Sequence, residues 1–343
     1  GTDLKIDEVK ASFRDSAAIT TFGFLTTWVA TVLLCTFFLD LPLLPSLFIG
    51  ATLGGTSSAV VVGLVKKIGV QPRTSTTLII ESAESDIFTL AIPLSILTLM
   101  ITGELAAYSV VSQFISSIII SLIMGIGGAF LWSFIINKIP ALKKTKFSTP
   151  AFLLVIYGIT EYLHFSGPLT ALSFGIAIGN LEYFEPKLLE KYVPNQRIIL
   201  PKAERSFFGQ LVFLLRTFFF VFFGISIKID RLDWLIWGAA ITAVLFLVRI
   251  VLVKFVIRKN TPLLDKAVMS MMIPKGLGAA VIATLPLQQG NPYGEIIQAI
   301  CFSVILFSTL YCVVLFFLVN QKLTLPIYGL IYGKDRPIDK EVN

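Results

Sequence analysis

Apolar stretches about twenty residues long recur along the chain, separated by short connections in which the polar and basic residues collect. A membrane-crossing helix needs about 20 consecutive, predominantly apolar residues. Ten segments fit that pattern: 17–39, 44–65, 76–103, 109–136, 151–165, 167–178, 206–227, 234–256, 267–287 and 296–319. The fifth and sixth are short and are divided at Gly167-Pro168. The pattern predicts an all-α polytopic membrane protein. It has a polar lead-in over 1–16, a transmembrane region over 17–320 and a short polar tail over 321–343.

The basic residues sharpen this topology. Of the 28 Lys and Arg residues, 22 fall in the lead-in, the tail and alternate connections, whereas the remaining connections hold only Lys228 and Arg231. The positive-inside rule then places both chain ends in the cytoplasm. The composition agrees: 55% of residues are hydrophobic and 14% charged, against about 25% charged in soluble domains. A net charge of +7 therefore reflects loop asymmetry, and nucleic acid is not an expected partner. Cys35, Cys301 and Cys312 all lie in apolar runs without metal or disulfide spacing. Residues 1–16 lack the basic, apolar and cleavage regions of a signal peptide.

Four basic residues remain inside apolar segments, Arg216, Arg249, Lys254 and Lys275. The third segment holds three carboxylates, Glu81, Glu84 and Asp86. A charge near the bilayer centre costs roughly 2.5–3.5 kcal/mol on insertion scales, so such residues usually face protein or water and mark an ion or proton path. On a helix Ser82 and Asp86 share one face, and Glu81 and Ser85 share another about 140° away. Two different jobs are thus available within six residues.

Two segments carry internal interruptions. Gly54-Gly55-Thr56-Ser57-Ser58 puts two helix-weakening glycines before three hydroxyl residues suited to capping a new helix. Ile273-Pro274-Lys275-Gly276 removes a backbone donor and places an ammonium in apolar surroundings. Paired broken helices, one in each half of a chain, point to an inverted-repeat transporter with its site between them. Lys275 is expected to pair with one of the carboxylates, because a lone buried charge is costly. Arg216 needs a partner such as Glu81, Glu84 or a helix C-terminus, and Arg249 needs either a partner or a route by which to snorkel with Lys254. Glu161 and His164 form a poor metal set, read as interfacial polar residues. His-Glu-x-x-His and Gly-x-Ser-x-Gly are absent, which speaks against an intramembrane enzyme.

Together these residues resemble the monovalent cation/proton antiporter superfamily of sodium/proton exchangers and Kef-type potassium antiporters. Glu81-Ser82-Ala83-Glu84-Ser85-Asp86 is similar to its acidic helix, with Asp86 at the ion-carrying position. Thr56-Ser57-Ser58 and Pro274-Lys275-Gly276 resemble its two crossing regions. The resemblance departs at Ser85, where Asn is usual, at Ser57, where Asp is usual, and at Glu84, an extra carboxylate. It implies an inverted-repeat fold with two discontinuous crossing helices, of which the first three helices are absent. It also implies a non-enzymatic antiporter without cofactors in a prokaryotic plasma membrane, which acts as a homodimer. The expected cation and proton site is Asp86, Ser82, Ser85, Thr56, Ser57 and Ser58. Glu81 and Lys275 form the expected structural ion pair, and Glu84, Arg216 and Arg249 are accessory. The transported ions are Na+ or K+ against H+, with a cation channel or ion-regulated sensor of the same fold as the alternative.

Overall fold

The computed structural model describes residues 6–65, 67–103, 107–139, 147–180, 209–210, 213–214, 217–218, 220–221, 223–227 and 231–333. Among these residues there is no strand, and twelve helices follow one another: α1 (Ile6–Phe38), α2 (Leu43–Thr52), α3 (Ser58–Val65), α4 (Pro72–Thr102), α5 (Ala107–Lys138), α6 (Ser148–Tyr162), α7 (Gly167–Gly179), α8 (Leu232–Val256), α9 (Leu263–Met271), α10 (Leu277–Gln288), α11 (Gly294–Asn320) and α12 (Leu325–Tyr332). The seventh apolar segment lies largely outside the described residues, and Arg216 with it.

Helices α1, α4, α5, α8 and α11 are each long and apolar enough to cross a membrane. Their outward faces carry large apolar groups such as Phe22, Leu33, Phe37, Leu247, Phe255 and Phe317. Lipid tails solvate such groups, whereas water would not. Helical hydrogen bonding satisfies the backbone within each segment, as hydrocarbon requires. This is an integral membrane protein. Helix α1 begins at Ile6, so the polar lead-in is itself helical from there on.

The described residues divide into two compact units. One contains α5, α6 and α7 with the start of α1. Its core packs Ala129, Trp132 and Ile136 of α5 against Ile156 of α6 and Phe174, Ala177 and Ile178 of α7. In a membrane, small residues let helix backbones approach closely where no hydrophobic force drives them together. Gly125 does this for α5, since an added Cβ would strike the Ser173 hydroxyl and sit 2.5 Å from the Thr170 carbonyl. Polar links then lock the approach. Ser121 Oγ accepts the Ser166 N–H at 3.0 Å, and the Thr170 hydroxyl donates to the Ser121 carbonyl at 3.1 Å. Glu161 Oε1 accepts the Gly167 N–H at 2.8 Å, so this carboxylate serves the turn into α7.

The second unit contains the remainder of α1 with α2 to α4 and α8 to α12. Both interrupted segments and all three carboxylates of α4 lie in it.

Candidate functional site

Helix α2 stops at Thr52 and α3 restarts at Ser58, while α9 stops at Met271 and α10 restarts at Leu277. The second break follows from Pro274, which has no N–H to donate and which disfavours helical geometry at Ile273 before it. The first break uses its glycines for close approach. A Cβ on Gly54 would overlap the Phe24 ring, and one on Gly55 would overlap the Thr89 hydroxyl.

The two breaks are bonded to each other. The Ser57 N–H donates to the Pro274 carbonyl at 2.7 Å, and Lys275 Nζ donates to the Gly55 carbonyl at 3.0 Å. Gly276 lies against Ser57, where an added Cβ would come within 2.9 Å of the hydroxyl. Helix α11 supports the crossing, since Ser308 Oγ accepts the Lys275 N–H at 3.0 Å. Several backbone groups freed by the interruptions are thus satisfied by protein; at membrane depth broken helices persist only against protein or a water-filled cavity.

Helix α4 presents its acidic segment to the first break. The Thr56 N–H donates to Ser85 Oγ at 3.0 Å, and the two hydroxyls lie 3.2 Å apart. The Ser58 side chain hydrogen-bonds the Asp86 carboxylate, which is half-buried. Asp86, Ser85, Thr56 and Ser58 are therefore brought together, and Ser57 joins the two breaks through its backbone. Ser82 is placed differently. Its hydroxyl donates to the Ile79 carbonyl at 2.9 Å on its own helix, and its carbonyl receives the Ser85 hydroxyl at 3.2 Å.

The expected Glu81–Lys275 pair is corrected by the structure. Both Glu81 oxygens are taken by Arg249, with Nη1 to Oε1 and Nη2 to Oε2 each at 2.7 Å. The reason is geometric. A guanidinium fork matches a carboxylate with two parallel bonds, which an ammonium cannot do. Arg249 Nε also donates to the Met269 carbonyl at 3.0 Å, so it does not snorkel. Gly23 leaves the room for this pair, since a Cβ there would lie 3.0 Å from Arg249 Nη1.

Lys275 is fully buried, and its ammonium bridges the breaks through the Gly55 carbonyl. Replacing it with Met should leave the Gly55 carbonyl short of a donor. A buried group left unpaired costs about 1–3 kcal/mol, a loss to be read as a lower thermal midpoint in detergent.

Glu84 faces α1, with Oε2 2.8 Å from the Thr20 hydroxyl, away from the break. Two polar links escaped the sequence reading. Asp265 Oδ2 accepts the Gln71 N–H at 3.2 Å and the Thr74 hydroxyl at 2.6 Å, tying the start of α9 to the start of α4. Asp15 on α1 pairs with Arg73 at 2.5 Å and with Arg258 at 3.5 Å. Asp15 shares a helix face with Ser12 and Ile19, three and four residues away and buried with it on α1.

An all-helical membrane bundle in which two interrupted helices cross beside a carboxylate-bearing helix is the architecture of a secondary cation antiporter. The chain matches the family described as "Sodium/hydrogen exchanger, transmembrane" over residues 1–321 and belongs to it. Its fold is similar to that of the sodium proton antiporter MjNhaP1 from Methanocaldococcus jannaschii. In the structure of that protein at pH 8 the TM-score is 0.59, with 20% identity over 96% of this chain and 81% of that one. In the structure from its electron-microscopy map the TM-score is 0.64, with 18% identity over 100% and 82%. Curated relatives include the K(+)/H(+) antiporter NhaP2 of Shewanella oneidensis, 26% identical over 184 residues, and that of Shewanella baltica, 25% identical over 188. Those matches take in 52% of this chain and 32% of each relative, about a third of the relatives' length. The family is one of transporters, not enzymes.

Proposed function

We propose that this chain exchanges a monovalent cation, sodium or potassium, for protons, and that Asp86 is the carrier. The observation that carries this reading is the Asp86 carboxylate hydrogen-bonded to Ser58 at the point where the α2–α3 helix is broken. A carboxylate drawn out of water tends toward its neutral form unless a positive charge or donors compensate it. A proton and a cation therefore compete for one negative charge. Ser85, Thr56 and Ser58 hydroxyls and the carbonyls of the break would replace part of the cation's hydration shell. If only the loaded site moves between the two sides, one cation leaves for each proton that enters.

Glu81 cannot share this task while Arg249 occupies both of its oxygens. Its role is to hold α4 to α8. One titrating carrier gives electroneutral one-for-one exchange. The homodimer, the cytoplasmic placement of both chain ends, the prokaryotic plasma membrane and the transport region over 17–320 belong to the same proposal.

The test is a cation series in proteoliposomes with a pH-sensitive dye. Exchange predicts proton movement only when sodium, potassium or lithium is supplied on the opposite side. A channel would dissipate the cation gradient without moving protons, a sensor would move neither, and either result would overturn the proposal.

A further inference from the structure

In the second unit, α1, the start of α4 and the α8–α9 turn line a half-open cleft of about 540 Å³. Its lining includes none of the residues that bond the two breaks to each other. Among the described residues its charged lining is Arg73, Arg258 and Lys259 against one carboxylate, Asp15, while Asp265 behind it is bonded to Gln71 and Thr74. A cleft dominated by one sign raises the local concentration of the opposite sign, so this excess of basic lining favours an anion.

Its donors are already arranged around an oxyanion. Asp15 Oδ2 takes Arg73 and Oδ1 takes Arg258, so two guanidiniums converge on one small group. Each guanidinium has five N–H donors, more than one shared carboxylate can satisfy. Behind the lining of the same cleft lies Thr77, fully buried, with a hydroxyl that has no hydrogen-bond partner among the described residues. A buried polar group is ordinarily paired, and an orphan calls for an explanation. The turn that delivers Arg258 and Lys259 is closed by the Thr261 N–H on the Arg258 carbonyl at 3.1 Å, and Lys266 Nζ holds the Lys259 carbonyl at 2.7 Å.

We infer that this cleft binds a phosphate-bearing anion, either a lipid headgroup or free phosphate. Planar, bidentate donors around one site favour phosphate over a halide. Asp15 is then a resident competitor for the two arginines.

The test is direct binding to the purified full chain. In neutral detergent, inorganic phosphate is titrated at constant ionic strength against chloride, and the thermal midpoint and tryptophan fluorescence are followed. In parallel, the midpoint is compared in vesicles of phosphatidylcholine with and without phosphatidylglycerol. A saturable response to phosphate identifies the free ion, and a response to phosphatidylglycerol identifies the headgroup; either supports the site. Arg258→Gln, an exposed side chain whose loss leaves the Asp15–Arg73 pair intact, should weaken the response roughly tenfold, as expected for losing a charged hydrogen bond. Lys259→Gln should weaken it less. Asp15→Asn should strengthen it, an effect opposite in sign to that of a merely structural ion pair. Neither probe producing a saturable response, or Arg258→Gln responding like the wild type, would overturn the assignment.

Discussion

Asp86→Asn is expected to reduce cation-dependent proton flux in proteoliposomes to the rate of protein-free vesicles while leaving the protein folded. Asparagine has nearly the shape of aspartate and can keep the hydrogen bond to Ser58. What it lacks is the negative charge for which a proton and a cation compete. Half-buried and held by that one side-chain bond, the position should change unfolding free energy by no more than about 1 kcal/mol, the worth of one neutral hydrogen bond. Glu84→Gln is the matched control. Its carboxylate faces Thr20 on α1 and not the break, so one-for-one exchange should survive. Flux retained in the Asp86 variant, or lost equally in both, would remove Asp86 from the carrier role.

The second large effect is expected at the Glu81–Arg249 pair. Both side chains are buried, and removing one partner of such a pair leaves an uncompensated charge, which costs about 3–5 kcal/mol. Arg249→Met would also strand the Met269 carbonyl that Nε now serves. The double replacement Glu81→Leu with Arg249→Met removes both charges, and it should recover most of the loss because an apolar pair of similar volume is often no less stable than a buried ion pair. Thermal unfolding in detergent measures all three. Single variants that unfold no more easily than the double variant would mean that the pair does not brace α4 against α8.

These expectations separate what the chain discloses locally from what it discloses only once folded. The helix breaks were legible because Gly54-Gly55 and Pro274 act on their own backbone, and the structure interrupts both segments there. The acidic helix was legible for the same reason, since Glu81 and Asp86 are five residues apart on any helix. Partner choice was not. Glu81 had Lys275, Arg216 and Arg249 to choose among by charge, and only the packing of α8 against α9 aims the Arg249 fork at it. Lys275 was read as half of an ion pair because a buried ammonium needs a partner; a carbonyl released by the opposite break meets part of that need, and sequence has no means of listing freed carbonyls. Ser82 shows a similar limit. A serine inside a helix can turn its hydroxyl back to a carbonyl three or four residues earlier, and at Ile79 it does. Asp15 lies in the polar lead-in, and its burial follows only from α1 running through that stretch.

Titrating cation into the weakly buffered, detergent-solubilised protein and counting the protons released tests the carrier most directly. With Asp86 initially protonated, sodium or potassium should displace about one proton per chain, the apparent cation affinity should fall as the pH is lowered, and Asp86→Asn should release none. Saturable cation binding with no proton released, or the same release from the Asp86 variant, would contradict the account.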